Sequence, residues 1–197
     1  MSKAEKTRQF IIEKTAPIFN KKGFAATSLN DLTAATGLTK GSIYGNFENK
    51  DAVAQAAYRY NADQLAKAME LAISKASTPL DKLLAVTGFY RKQWKTVFIS
   101  GGCPSLNAAA EADDTFPAML EEVKLSFDRL AKRIAGIMEA GKKDGSFRAN
   151  IKSTEYTYLF IMLIEGGILL SKTARSPKHL LLALDHVEKT VKEEIQQ

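Results

Sequence analysis

Apolar side chains recur along the chain mostly at helical spacing, and neither the alternation of half-exposed strands nor an Asn-Gly hairpin turn separates the apolar runs. The pattern predicts an all-α chain of about nine helices, with boundaries set by the capping residues. Gly23 closes a first helix that starts near Ala4, and Pro17 inside it is expected to cost a backbone hydrogen bond and to kink it. Ser28-Leu-Asn-Asp31 fits a capping box, and Gly37 stops that second helix. Thr39 caps a third helix through Phe47, and Asn49 a fourth through an Ala-rich stretch to about Ser74. Thr78-Pro79-Leu-Asp81 pairs a cap with proline at the first helical position and opens a fifth helix to about Phe98. Gly101-Gly102-Cys103-Pro104 turns into a short sixth helix, and Pro117 opens a long seventh to about Lys143. Two more are expected at about 153–172 and 177–195, with no internal repeat and no low-complexity linker.

The segment 28–47 has helix-turn-helix grammar: a capped short helix, a glycine turn and a second short helix. Leu29, Leu32, Ile43 and Phe47 can pack the pair together, Ala34 and Ala35 are small at the point of approach, and Gly37 permits a left-handed turn. Left outward on the second helix are Thr39, Lys40, Ser42, Tyr44, Gly45 and Asn46, a face rich in hydrogen-bond donors and short enough for a DNA major groove. The same spacing also describes an ordinary αα-hairpin with a solvated polar face.

Composition alters the picture in one respect. The chain has 197 residues, 45% hydrophobic and 25% charged, which is an ordinary globular balance and excludes disorder. Its net charge of +6 is unevenly placed. Residues 1–50 hold 8 basic and 4 acidic side chains, against 20 and 18 in residues 51–197, as expected of a small polyanion-binding head on a near-neutral body. The start MSKAEKTRQF lacks the apolar stretch of a secretory signal, no run is long enough for a membrane span, and one cysteine cannot form an internal disulfide. A cytoplasmic location with no membrane partner is therefore expected.

The stretch from Phe10 to Val53 resembles the N-terminal DNA-binding domain of the TetR family of transcriptional regulators. Ile-Phe before Lys-Lys-Gly-Phe, Thr27-Ser28, Thr-Gly-Leu-Thr-Lys-Gly, Ser-Ile-Tyr, Phe47 and Lys50-Asp51 carry the likeness. The resemblance implies a helix-turn-helix DNA-binding domain at 1–50 and a helical regulatory and dimerisation domain at 51–197. It further implies a repressor that binds a double-stranded operator with two half-sites as a homodimer, and that lets go when a small-molecule effector or an electrophile reaches the body.

By position, the resemblance implies that Thr27 and Ser28 hold phosphate on one side, and Tyr44 and Lys50 on the other. Lys40, Gly41, Ser42 and Gly45 would face base edges or nearby backbone, with Thr39 and Asn46 beside them and Lys40 placed to read guanine. Lys50 also reads as a solvated lysine, and Tyr44 as a partly buried core aromatic. Gly45 and Asn46 depart from the family, which often has a larger side chain at the first and His at the second. Lys3, Lys6 and Arg8 add phosphate contacts or belong to a frayed tail. The last two helices carry broad apolar faces, Tyr156, Leu159, Phe160, Leu163 and Ile164 on one and Leu180, Leu181, Leu184, Val187 and Val191 on the other, with Gly166-Gly167 allowing a close neighbour. These faces are either buried within the chain or, as the resemblance implies, form the dimer interface.

Cys103, just before a helix N-terminus, reads either as a thiol sensor or as a small buried apolar residue. Phe89, Tyr90, Trp94, Phe98, Phe116 and Phe127 would line a ligand cavity or simply form core, and Glu165 within an apolar helix would meet a ligand, solvent or the dimer seam. No enzyme is expected. His179 and His186 lack a third metal ligand, and no Gly-rich phosphate loop follows a strand, so no cofactor is implied. The other class consistent with the residues is a helical dimeric protein-interaction module without specific DNA binding, which would lack the steep salt dependence of a DNA complex.

Overall fold

The computed structural model describes residues 1–197 as nine α-helices. They are α1 (Lys3–Lys22), α2 (Leu29–Thr36), α3 (Lys40–Tyr44), α4 (Lys50–Ser74), α5 (Pro79–Ile99), α6 (Pro104–Ala112), α7 (Pro117–Asp144), α8 (Ser153–Thr173) and α9 (Lys178–Thr190). A single π turn, Val191–Ile195, ends the helical part. The local chemistry explains the starts. Ser2 opens α1 through a capping box with Glu5, so the first basic residues stand on a capped helix and not on a frayed tail. Thr78 accepts from the Asp81 amide at the start of α5, and Pro104 sits at the first position of α6. Pro17 lies inside α1, which continues through it, and the neighbouring Ala16 carbonyl accepts from Asn61 Nδ2 at 2.8 Å.

Two compact units result, with boundaries inside α4 and α7: Met1–Leu65 with Ser100–Lys124, and Ala66–Ile99 with Leu125–Gln197. The unit that contains the helix-turn-helix thus takes in α6, a segment the sequence places with the body. Its buried side chains include Ile11, Phe19, Leu32, Ile43, Phe47, Val53, Ala57, Tyr58 and Met119. Phe116 packs edge-on against Phe24, 5.8 Å between ring centres, and Arg59 pairs with Glu122.

In the second unit α8 and α9 pack closely, and α5 also meets α9. Gly167 makes the α8–α9 approach possible, since a Cβ there would stand 3.0 Å from Leu180 Cα. The buried Ser171 hydroxyl accepts from the Leu180 amide at 2.7 Å. Arg91 on α5 pairs with Asp185 and Glu188 on α9. Gly141 makes room for the Phe147 ring, and Phe147 forms an isolated antiparallel bridge with Gln196.

Most of the interface residues implied by the resemblance are used inside the chain: Phe160, Ile164, Leu180, Leu184, Val187 and Val191 are buried, Tyr156, Leu163 and Leu181 are half-buried, and Leu159 alone of the set is exposed. The other exposed apolar positions of α8 and α9 are Tyr158, Met162, Leu169, Leu170 and Leu182, which the sequence pattern did not single out. An apolar helix with two apolar sides does not reveal from spacing which side its own chain covers.

Candidate nucleic-acid interface

Ser28 begins the site. Its Oγ accepts from the Asp31 amide at 3.2 Å and its own amide donates to Asp31 Oδ2 at 2.8 Å, a reciprocal cap that fixes the entry into α2. Lys22 Nζ stands 2.8 Å from both oxygens of Asp31, and the hydrogen bonds from Lys22 and then Ser28 hold that carboxyl well below the usual aspartate range. The one carboxylate of α2 is thereby neutralised. Leu32 and Thr36 are buried, and Gly37 terminates the helix in the left-handed region at φ +68°.

Thr39 opens α3 by accepting from the Ser42 amide at 3.2 Å. A neutral cap leaves no negative charge there, and no acidic side chain occurs between Thr39 and Phe47. Ile43 and Phe47 are fully turned inward, which presents the opposite side of this short helix to solvent. Thr39, Lys40, Gly41, Tyr44 and Gly45 are exposed, Tyr44 to 41%. The exposed set offers an ammonium, two hydroxyls and bare backbone, groups that donate to phosphates and to the guanine and adenine edges of a major groove.

Other expected contacts are occupied inside the protein. Thr27 is buried and its hydroxyl donates to the Gly23 carbonyl at 2.5 Å. Lys50 Nζ donates to the carbonyls of Phe24 and Thr27 at 2.8 and 3.0 Å, tying the turn before α2 to the start of α4. Asn46 turns back to donate to the Ser42 carbonyl at 2.9 Å. Arg8, from α1, donates through Nη1 to the Asn46 carbonyl at 2.5 Å, a contact across 38 residues that no local motif announces. Residues 11–57 match the family of bacterial regulatory proteins, tetR family, and residues 79–187 match the tetracyclin repressor-like C-terminal domain.

The chain belongs to the TetR family. A TetR-family transcriptional regulator from Cytophaga hutchinsonii superposes with a TM-score of 0.95 at 39% identity, over 100% of this chain and 98% of that one. A TetR transcriptional regulator from Chloroflexus aurantiacus J-10-FL gives 0.94 at 30% identity, over 100% and 99%. Among curated relatives, the HTH-type transcriptional repressor DhaR of Mycobacterium sp. (strain GP1) is 24% identical over 88% of this chain and 86% of its own. The TetR assignment makes the chain a DNA-binding transcriptional regulator.

The body places its expected residues apart. Tyr90 and Glu165 line one narrow cavity, together with Met69, Val86, Leu130, Ile134, Ile161 and Ile164. Trp94 and Phe98 pack edge-on at 5.5 Å, Phe89 stands 5.1 Å from Tyr90, Phe127 is half-buried on α7, and Phe116 belongs to the DNA-binding unit of this TetR-family chain. Cys103 is buried at 4% exposure and precedes Pro104 at the start of α6. No helix is long and apolar enough to cross a membrane.

Proposed function

We propose that this regulator represses transcription as a two-fold dimer on an operator with two half-sites, and that occupation of its body releases the DNA. The exposed, carboxylate-free side of α3 is the observation that supports DNA reading. A helix of this length spans too few base pairs for a unique address, so two copies, spaced by about one turn of DNA, are needed. The exposed apolar positions Tyr158, Leu159, Met162, Leu169, Leu170 and Leu182 supply a surface for α8 and α9 to meet their counterparts in a four-helix bundle.

Within this reading Lys40 contacts base edges, Ser28 and Tyr44 contact phosphates, and Gly41, Ser42 and Gly45 let the backbone approach. Thr27, Lys50, Asn46 and Thr39 shape the surface. A small molecule would enter beside Tyr90 and Glu165. A second route is supported by the position of Cys103 at the head of α6: a bound electrophile there would shift that helix. His179 and His186 are exposed on α9. DNA binding by the full chain is measured by fluorescence anisotropy on the duplex upstream of its coding region and on a random-sequence pool. Two protected half-sites and a dimer by sedimentation are expected, and Met162→Asp with Leu182→Asp is expected to abolish both. Absence of specific binding in the pool would refute the reading. An electrophile that releases wild type but not Cys103→Ser would select the thiol route over the cavity.

A further inference from the structure

Two side chains of α6, far outside the helix-turn-helix in sequence, reach the segment that leads into α2. Asn107 Nδ2 lies within hydrogen-bond distance of the Asn20 backbone carbonyl (3.1 Å), the Asn20 side-chain oxygen (3.1 Å) and the Gly101 carbonyl (2.9 Å). Four residues later, one turn on and on the same side of α6, Glu111 Oε2 accepts from the amides of Phe24 at 2.7 Å and Ala25 at 3.3 Å. The polarities are matched. Carbonyls in the last turn of α1 have no donor within that helix, and the amides beyond it have no acceptor there. α6 brings an amide to the former and a carboxylate to the latter.

The glycines show how tightly this contact is built. A Cβ on Gly23 would stand 1.5 Å from Glu111 Oε1, and a Cβ on Gly101 would stand 2.7 Å from the Asn20 carbonyl oxygen. Both glycines also hold positive φ, +81° and +108°, so conformation and space exclude a side chain together. The turn so gripped runs from Gly23 to Ser28, receives Lys50 through its own carbonyls, and ends at the cap of α2.

We propose that Glu111 and Asn107 are positioning residues for operator binding, which fix the 23–28 turn and thereby make α6 a determinant of DNA affinity. The sign of the effect separates this from simple electrostatics. A carboxylate in a DNA-binding unit repels phosphate, so by charge alone its removal should tighten binding. A positioning carboxylate has the opposite effect, because without it the turn must be ordered at the expense of binding free energy.

The test uses the full chain and the duplex that wild type selects from a random-sequence pool, with anisotropy read over a range of salt. Glu111→Ala is expected to weaken binding to that duplex about tenfold, the usual scale for a hydrogen bond to a charged group, with an unchanged salt slope and unchanged affinity for a scrambled duplex. Glu111→Gln, which keeps an oxygen acceptor without the charge, is expected to lose less, and Asn107→Ala to weaken binding in the same sense. Tighter or unchanged binding by Glu111→Ala overturns the proposal. Should that variant not fold, amide hydrogen exchange of Phe24 and Ala25 in Glu111→Gln decides: faster exchange than wild type supports the clamp, and equal exchange overturns it.

Discussion

The guanidinium carbon of Arg8 lies 4.0 Å above the centre of the Phe47 ring, so a cation from the start of α1 covers the buried aromatic that follows α3. With the hydrogen bond to the Asn46 carbonyl, the stack joins the first helix to the end of a segment too short to hold itself by backbone bonding alone. Arg8→Ala is expected to lower operator affinity several-fold without the change of salt slope, about 0.9, that loss of a phosphate contact produces. Arg8→Lys keeps the charge but not the planar stack and should recover part of it. Anisotropy at three salt concentrations checks this.

Asp31 titrates below an ordinary aspartate because Lys22 and then Ser28 bond to the charged form. Depression of the folded-state pKa means that the stabilising contribution is complete above the ordinary aspartate range and is lost only as pH falls through the lower, folded value. Near-neutral pH changes should therefore leave the α2 cap intact. Carboxyl NMR is expected to show a midpoint below the model-peptide value of 3.8, and Lys22→Met to move it upward.

Lys40 and Lys50 should separate cleanly in binding experiments. Lys40 is exposed on α3, so Lys40→Ala is expected to cost about 1–3 kcal/mol against the preferred base pair and to relax preference at that position in a selection experiment. Lys50 has its ammonium on two carbonyls, and Lys50→Met should weaken binding to every sequence while changing the salt slope by less than one phosphate's worth.

Ser171 is wholly buried between α8 and α9 and satisfies the Leu180 amide. Ser171→Ala leaves that amide without its acceptor, and a loss of about 1–3 kcal/mol in urea denaturation at fixed protein concentration is expected.

Local grammar made much of this protein legible. Ser28, Gly37, Thr39, Pro79 and Pro117 mark ends that the structure reproduces, because caps and glycine turns act within a few residues. The nine helices and the helix-turn-helix follow from that short-range chemistry. What sequence could not show lies at long separation. Glu111 is 87 residues from Phe24, Arg8 is 38 from Asn46, and Lys50 turned inward to carbonyls that its motif position does not mention. The division of α8 between an inner and an outer apolar side had the same cause: periodicity gives direction only relative to the helix itself.

The two glycines at α3, Gly41 and Gly45, differ in what they permit. A Cβ at Gly41 meets no atom nearer than 4.0 Å, whereas one at Gly45 would stand 3.2 Å from the Gly41 carbonyl oxygen. A side chain at Gly41 would also stiffen a helix of five residues, since alanine is favoured over glycine there by about 0.5–1 kcal/mol. For the folded regulator a side chain at 41 is therefore inexpensive, whereas one at 45 requires the Gly41 carbonyl to give by a few tenths of an ångström; on DNA the order of tolerance reverses wherever the backbone at 41 lies against the duplex.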